Sequence, residues 1–197
     1  MESRPSIKSK GDLGEKVVKK YFEAKGYQVI ELGDNIDYRK IGIDLKLTHP
    51  DQPETTLTVE VKSSFNAFEK YKPEGRSEFW FVWENVFNNG KKRILGTIFR
   101  SQATFFIWCT EKSLYIFETK KLVEKIHTLG TNTHIRGIRF ASDHNGNKET
   151  IHLKVNEQHL CEDYKEVSHS EDLLGFINNS LGGRNGKPEN VQIHTGV

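Results

Sequence analysis

The hydrophobic period of the chain changes near residue 26, from the helical repeat of about 3.6 residues to the two-residue repeat of strands. Residues 11–26 gather their apolar side chains within half of a helical circumference, and Gly26 is placed to end that helix. Three runs with strand alternation follow, at residues 27–32, 41–47 and 56–64. Pro50 and Pro53 mark the turn between the last two runs. The predicted order is therefore helix, strand, strand, strand.

The rest of the chain carries further strand and helix patterns separated by polar turns. The aromatic run at 78–87 is rich in residues that favour strands, and it follows a polar loop at 66–77. Residues 88–93 have the composition of a turn, and 94–102 fit either a helix or irregular structure. Strands are also predicted at 104–109 and 113–118, a hairpin at 135–141 with 150–155, and helices at 119–129, capped by Thr119, and 171–181.

Composition limits the chain to one well-packed core. At 197 residues, of which 35% are hydrophobic, two full domains would be cramped. Lys and Arg exceed Asp and Glu by only 29 to 27, so net charge does not indicate a nucleic-acid partner. Cys109 and Cys161 lie far apart with no signal peptide before them, which predicts a reducing, cytoplasmic environment. No apolar run approaches the roughly 20 residues that cross a bilayer, so we expect no membrane partner.

The segment VEVKSS at 59–64 places charged side chains on one face of a strand. Val59 and Val61 point to one side, whereas Glu60, Lys62 and Ser64 point to the other. If the preceding strand lies antiparallel beside this one, Asp44 approaches Glu60 from the neighbouring strand. Two carboxylates would then meet next to one ammonium group. Such hard oxygen ligands suit Mg²⁺, and Lys62 could orient or deprotonate an attacking water, or stabilise charge on phosphorus.

This pattern of residues resembles the PD-(D/E)xK nuclease superfamily, which includes restriction endonucleases and Holliday junction resolvases. Asp44, fifteen further residues and then Glu60-Val61-Lys62 follow a helix that carries Glu15. The resemblance implies an α/β fold, with an αβββαβ core and a mixed, mostly antiparallel central sheet flanked by helices. It implies that Asp44 and Glu60 bind Mg²⁺ or Mn²⁺, and that Lys62 assists phosphodiester hydrolysis. Ile43 stands where the motif has proline, which is not a ligand.

The same resemblance suggests additional site residues. It implies Glu15 as an acid that assists the metal and the Val61 backbone carbonyl as a further ligand. The layout of residues 78–127 is similar to that of phage-type members of the superfamily, which makes Glu84 a further candidate acid. Candidates for contact with nucleic-acid phosphates are Lys16, Lys19, Lys20, Ser64, Lys91, Lys92 and Arg93.

Simpler interpretations remain open for several of these residues. A glutamate and a lysine two apart also occur on ordinary solvated strand faces, so the order of elements carries the hypothesis. Asp12 and Glu15 have the spacing of a helix capping box, which would explain Glu15 without a metal. Glu84 fits a strand-face carboxylate or an ion pair with a nearby lysine, and the aromatic run fits a core as well as a base-stacking surface. The eight histidines lack the spacing of a zinc module.

The sequence therefore predicts a Mg²⁺-dependent DNA endonuclease. Residues 1–127 would form the nuclease-like core, 128–182 a hairpin and helix packed on it, and 183–197 a flexible tail. Two alternatives stay open: a structure-selective junction resolvase or nickase, acting as a homodimer, and a catalytically silent nucleic-acid-binding protein. An RNA substrate is also compatible with the same residues.

Overall fold

The computed structural model describes residues 7–65, 78–87, 90–132 and 134–180. The helices are Ile7–Glu23 (α1), Ile36–Lys40 (α2), Thr97–Arg100 (α3), Thr119–Thr131 (α4) and Glu171–Ser180 (α5). The strands are Gln28–Glu31 (β1), Leu45–His49 (β2), Gln52–Ser63 (β3), Glu78–Phe87 (β4), Lys92–Leu95 (β5), Phe105–Cys109 (β6), Ser113–Glu118 (β7), Ile138–Asn145 (β8), Lys148–Asn156 (β9) and Tyr164–Ser168 (β10). The loop predicted at 66–77 and the tail predicted at 183–197 lie outside the described residues.

The central sheet has six strands in the order β1-β2-β3-β6-β7-β10. Strands β3 and β6 run parallel, and the other neighbouring strands in this sheet run antiparallel. The predicted α/β fold with a mixed, mostly antiparallel sheet is therefore confirmed. The connection between the parallel strands β3 and β6 is more than a single crossover helix, because it contains β4, β5 and α3.

The two faces of the central sheet pack against different partners. One face, which includes Val59 and Val61, packs against apolar residues of α1 and α5. The opposite face packs Phe106 and Trp108 against α4 and a second sheet, which has the order β5-β4-β9-β8. Glu60 is paired with Phe106 across the parallel strands, and it points to this second face because side chains alternate along a strand. The charged face of β3 therefore lies on the side of the second sheet.

Helix α1 is longer than predicted. It begins at Ile7, so Asp12 lies inside the helix and the capping-box interpretation of Asp12 and Glu15 is wrong. Gly26 follows the helix with φ of +87°, as its predicted role in ending the helix requires. A side chain at Gly14 would overlap the hydroxyl of Ser63, so the glycine allows α1 to lie close against β3.

Two local predictions in the first half of the chain need correction. Strand β2 begins at Leu45 and not at residue 41, because the short helix α2 and a turn precede it. Pro53 lies inside β3, so Pro50 and Asp51 alone form the turn between β2 and β3. Thr119 is also not a helix cap: Glu118 occupies that position, and Thr119 is the first, buried residue of α4.

The C-terminal region completes both sheets. The predicted hairpin is formed by β8 and β9, and β9 also pairs antiparallel with β4. Strand β10, which the sequence did not reveal, pairs with β7 at the edge of the central sheet. The division of the chain at residue 127 stays a prediction. None of the helices in the described ranges is long and apolar enough to cross a membrane.

Candidate active site

Asp44 lies at the point where β2 begins beside β3. Its backbone N–H donates to the Val59 carbonyl at 2.8 Å, and its side-chain Oδ2 accepts from the Val61 N–H at 2.7 Å. Strand β2 pairs antiparallel with β3, as the sequence predicted, with Leu45 opposite Val59. The backbone pairing therefore continues through the Asp44 N–H, and at the next position along β3 the Asp44 carboxylate accepts the Val61 N–H in place of a backbone carbonyl.

The Val61 carbonyl faces the same edge of β3. The N–H and C=O groups of one strand residue point to the same neighbouring strand. Because the Val61 N–H binds Asp44, the Val61 carbonyl also points toward the end of β2. The strand geometry therefore brings this carbonyl to the Asp44 side of β3, where the resemblance had placed a metal ligand.

Glu60 is the most completely buried charged group of the site. Its side chain is 1% exposed, and Lys62 Nζ lies 2.7 Å from Oε1. Apart from this ion pair, neither carboxylate oxygen has a hydrogen-bond partner among the described residues. Burying an ionised carboxylate in a protein interior costs on the order of several kcal/mol, unless nearby charges or hydrogen-bond donors compensate for the lost hydration. One ammonium group, itself 41% exposed, leaves that compensation incomplete.

A turn at Gly42 covers the Glu60 carboxylate. Gly42 has φ of +62°, and a Cβ at this position would lie 2.7 Å from Glu60 Oε2. The Gly42 carbonyl accepts a hydrogen bond from Ser101 Oγ at 3.1 Å, and the Gln102 N–H donates to the Ile41 carbonyl at 2.8 Å. Glycine therefore meets two requirements here, a left-handed backbone and space for the carboxylate.

Asp44 is partly protected from water. Burial raises the pKa of Asp44, and the nearby Glu60 carboxylate acts in the same direction. Lys62, the hydrogen bond from Val61 and the Arg39 guanidinium all lower the pKa, but the net shift is upward. Two acids and a lysine thus interact electrostatically at one point, as the sequence predicted.

Glu15 approaches the same end of the sheet from α1. Burial raises the pKa of Glu15 to about 7, the Asp44 carboxylate adds to the increase, and Lys62 opposes it. A Cβ on Gly33, just after β1, would lie 2.9 Å from Glu15 Oε2. The structure therefore places Glu15 within electrostatic range of Asp44 and Lys62.

Glu84 lies in a different setting. It is on β4 of the second sheet, and Arg93 of β5 lies 2.9 Å from its Oε1. Among the described residues, Glu84 makes no hydrogen bond or ion pair with Asp44 or Glu60. The ion-pair interpretation of Glu84 agrees with this geometry, although the pair involves an arginine.

The predicted phosphate-binding residues do not form one group. Lys16 is exposed, whereas Lys19 is bound to Glu31 at 2.6 Å and Lys20 lies 4.8 Å from the centre of the Phe176 ring. Lys91 and Lys92 are exposed at the turn before β5 and at its first residue, and Arg93 is held by Glu84. Ser64 is half-buried, and its N–H donates to the Cys109 carbonyl at 2.8 Å.

Sequence reasoning missed two residues that the structure places at the site. Gly42 covers Glu60, and Arg39 on α2 lies close enough to Asp44 to lower the pKa of that carboxyl. The signal for α2 was present: Asn35 is a good helix cap, with Asp37 in the first turn and Arg39 and Lys40 in the last. Helix α2 has only five residues, and the strand alternation that begins at residue 41 directly after it is the stronger pattern.

The donor set suits a hard cation that keeps several waters. Asp44, Glu60 and the Val61 carbonyl all supply oxygen ligands, and apart from the ion pair with Lys62 the Glu60 oxygens have no hydrogen-bond donor among the described residues. In the parts of the chain that the structure describes, no three His, Cys, Asp or Glu side chains form a ready metal-binding group. A Mg²⁺ ion here would therefore need water or substrate oxygens to complete its coordination.

No family model matches the chain, and no curated protein matches it. Among solved structures, the chain is similar to a bacterial homing endonuclease, I-Ssp6803I, with 21% identity and a TM-score of 0.43. The match covers 61% of this chain and 74% of that chain. At this degree of likeness, any inference about function has to come from the geometry of the site itself.

Proposed function

We propose that the protein is a metal-dependent nuclease that hydrolyses phosphodiester bonds, with DNA as its substrate. One observation carries the proposal: the buried Glu60 carboxylate has Lys62 at 2.7 Å and no hydrogen-bond partner in the described residues, beside a second acid, Asp44. Placing two acids together is unfavourable unless a cation joins them. A divalent cation would supply that compensation.

In this proposal, Asp44 and Glu60 hold Mg²⁺ or Mn²⁺, and the Val61 carbonyl is a further ligand. The bound ion would supply Lewis-acid stabilisation of the charge that develops on the scissile phosphate. Asp44 is oriented for this role by the hydrogen bond from the Val61 N–H. Glu60 is oriented by the close approach of Gly42, which leaves its carboxylate little freedom. Glu15 is the nearby additional acid.

The Lys62 side chain lies between the buried Glu60 carboxylate and the solvent. Its ammonium group contacts Glu60 at 2.7 Å, yet the side chain is 41% exposed. From this position the ammonium can donate a hydrogen bond to an attacking water or to a phosphate oxygen. We assign Lys62 to orienting that water for in-line attack and to stabilising charge on the phosphate.

Incubation with supercoiled plasmid tests the proposed activity. The purified chain should nick or linearise plasmid in Mg²⁺ or Mn²⁺, and EDTA should stop the reaction. Asp44→Ala, Glu60→Ala and Lys62→Ala should each remove the activity while the protein remains folded. Cutting that persists unchanged in these variants would refute the assignment. Linear, nicked and four-way DNA, and an RNA strand, tested in parallel distinguish an endonuclease from a resolvase or ribonuclease.

Metal binding tests the same site without requiring turnover. Titration calorimetry with Mn²⁺ should show a binding site in the wild-type chain that is lost in Asp44→Ala. A nucleic-acid-binding protein that retained the fold without catalysis would bind DNA but show no Mn²⁺ binding that depends on Asp44. The two measurements together separate an active nuclease from a silent one.

A further inference from the structure

Helix α2 is fixed in position although it adds nothing to either core. None of its residues is buried. At its start, the Asn35 side chain accepts a backbone hydrogen bond at 2.9 Å, and at its end the Gly42 N–H donates to the Arg39 carbonyl at 3.3 Å. The turn that follows leads directly into Asp44. The chain therefore holds an exposed helix in a defined place beside the candidate active site.

Arg39 is the residue of α2 whose charge reaches the site. Its carbonyl accepts a hydrogen bond from the N–H of Gly42, the residue that lies against the Glu60 carboxylate, and its side chain is exposed beside this turn. The positive charge of Arg39 also acts to lower the pKa of Asp44. Within the described ranges, Arg39 makes no ion pair. The adjacent Lys40 differs, because its Nζ lies 3.3 Å from Asp37 Oδ1. Arg39 thus keeps its donors available next to Asp44.

The charge balance of the site leaves a role for such a residue. A bound divalent cation and Lys62 together would carry three positive charges, and the ionised carboxylates of Asp44, Glu60 and Glu15 would balance them. A phosphodiester strand is anionic, so its attraction to the site requires additional positive charge. A guanidinium group offers a planar pair of donors that matches two phosphate oxygens.

We propose that α2 docks the nucleic-acid strand, and that Arg39 binds a backbone phosphate next to the one that is cleaved. This inference rests on the proposed nuclease function. Ile36 and Tyr38, 66% and 37% exposed on the same helix, provide apolar surface for the sugars of the bound strand. Contact with a neighbouring phosphate is equal in the ground state and the transition state, so it contributes to KM and not to kcat.

Arg39→Ala, Arg39→Lys and Lys40→Ala in the 197-residue chain test the proposal. Lys40→Ala is the matched control, since it removes the same charge from the neighbouring, partnered residue. For Arg39→Ala we expect KM for plasmid cleavage to rise roughly tenfold with kcat within about threefold, because a charged hydrogen bond is lost. Arg39→Lys should recover part of the loss. Thermal melting confirms that each variant is folded.

Binding of a fluorescein-labelled duplex oligonucleotide without divalent metal gives a second readout. Arg39→Ala should weaken binding and lower the slope of log affinity against log salt by about 0.9, the value for one phosphate contact. If Arg39→Ala matches Lys40→Ala in both KM and salt slope, or if the wild-type chain does not bind the duplex, the inference is overturned. Wild-type binding with the Arg39-dependent slope, but without cutting, would support the docking role and refute the nuclease function.

Discussion

Glu60 and Glu84 both lie on strands and both pair with a cationic side chain, but they differ in burial and in the charges that surround them. Glu60 is 1% exposed, contacts Lys62 of its own strand at 2.7 Å and lies near a second acid. Glu84 is 15% exposed and contacts Arg93 of the neighbouring strand at 2.9 Å. The second pair is an ordinary cross-strand ion pair, in which one charge compensates another. The first pair places a buried carboxylate and a second acid beside one ammonium group, and the proposed metal site rests on that imbalance.

The largest expected effect separates the two glutamates by activity. Glu60→Ala or Asp44→Ala should lower the single-turnover cleavage rate by about 10³-fold or more, since the stabilisation of charge on phosphate is lost. Glu84→Ala should stay within about threefold of the wild type. Rates measured on one labelled DNA substrate make the comparison. Equal losses in Glu60→Ala and Glu84→Ala would erase the distinction between the two pairs.

A smaller effect is expected when the cover over Glu60 is changed. Gly42→Ala should lower the cleavage rate by about tenfold or more, because the new methyl group would displace the Glu60 carboxylate by pressing on Oε2. Gly146→Ala is the matched control, since Gly146 has a similar φ of +58° and nothing within 4 Å of a new Cβ.

Both glycine variants should lose about 1–2 kcal/mol of unfolding free energy, the cost of a left-handed alanine. Urea denaturation measures this common loss, and the cleavage assay measures the difference. If Gly146→Ala loses as much activity as Gly42→Ala, then backbone strain and not contact with Glu60 explains the result.

Stability without metal sharpens the comparison further. Glu60→Gln should keep the unfolding free energy or raise it by about 1 kcal/mol, because a neutral group replaces a buried carboxylate whose one ion pair, with Lys62, compensates it incompletely. Glu84→Gln should lower the unfolding free energy by up to about 1 kcal/mol, because Arg93 loses its partner. Adding Mn²⁺ should raise the melting temperature of the wild type and of Glu84→Gln, but not that of Glu60→Gln. Marked destabilisation of Glu60→Gln would show that the carboxylate is structural.

The smallest effect concerns His169, a buried side chain with a hydrogen-bond partner for only one of its two ring nitrogens among the described residues. Unlike Glu60, it lies outside the proposed metal site. His169 Nε2 donates to the Thr110 carbonyl at 3.0 Å, whereas its buried Nδ1 has no partner in the described residues. Burial lowers the pKa of His169, and the bond to Thr110 opposes the shift only partly. Protonation would place a second N–H where no acceptor lies.

The consequence is a loss of stability in acid. The unfolded chain takes up the proton near the ordinary histidine pKa of about 6.5, and the folded chain does so only at lower pH. The unfolding free energy should therefore be independent of this group above about pH 7 and fall by at most about 1.4 kcal/mol per pH unit below about pH 6.5. The difference between wild type and His169→Gln in urea denaturation at several pH values isolates the effect. Parallel curves would contradict it.

Much of the first half of the fold follows from local pattern. The change of period near residue 26 predicts α1 and the strands after it, and the short turn at Pro50 and Asp51 makes β2 and β3 antiparallel neighbours. From that pairing the approach of Asp44 to Glu60 was predictable. The roles of these two acids in metal binding and catalysis remain predictions.

Other features of the site were not accessible to the same reasoning. Helix α2 was missed because a five-residue helix has too little periodicity to compete with the strand alternation that follows it. Gly42 was missed because its function depends on the atoms that surround it, and those include Ser101, far along the chain. Glu84 and Glu60 could not be ranked, because their difference lies in burial and partners.

The sequence by itself determined which residues alternate along β3, and hence that Glu60 and Lys62 share one face while Val59 and Val61 share the other. This information is local, since the geometry of a strand repeats every two residues. Only the tertiary structure decided that β3 pairs with β6 and β4 with β9, and that the turn at Gly42 closes over Glu60. Such contacts join segments far apart in the chain, and their selection depends on how both cores pack together, which no local repeat encodes.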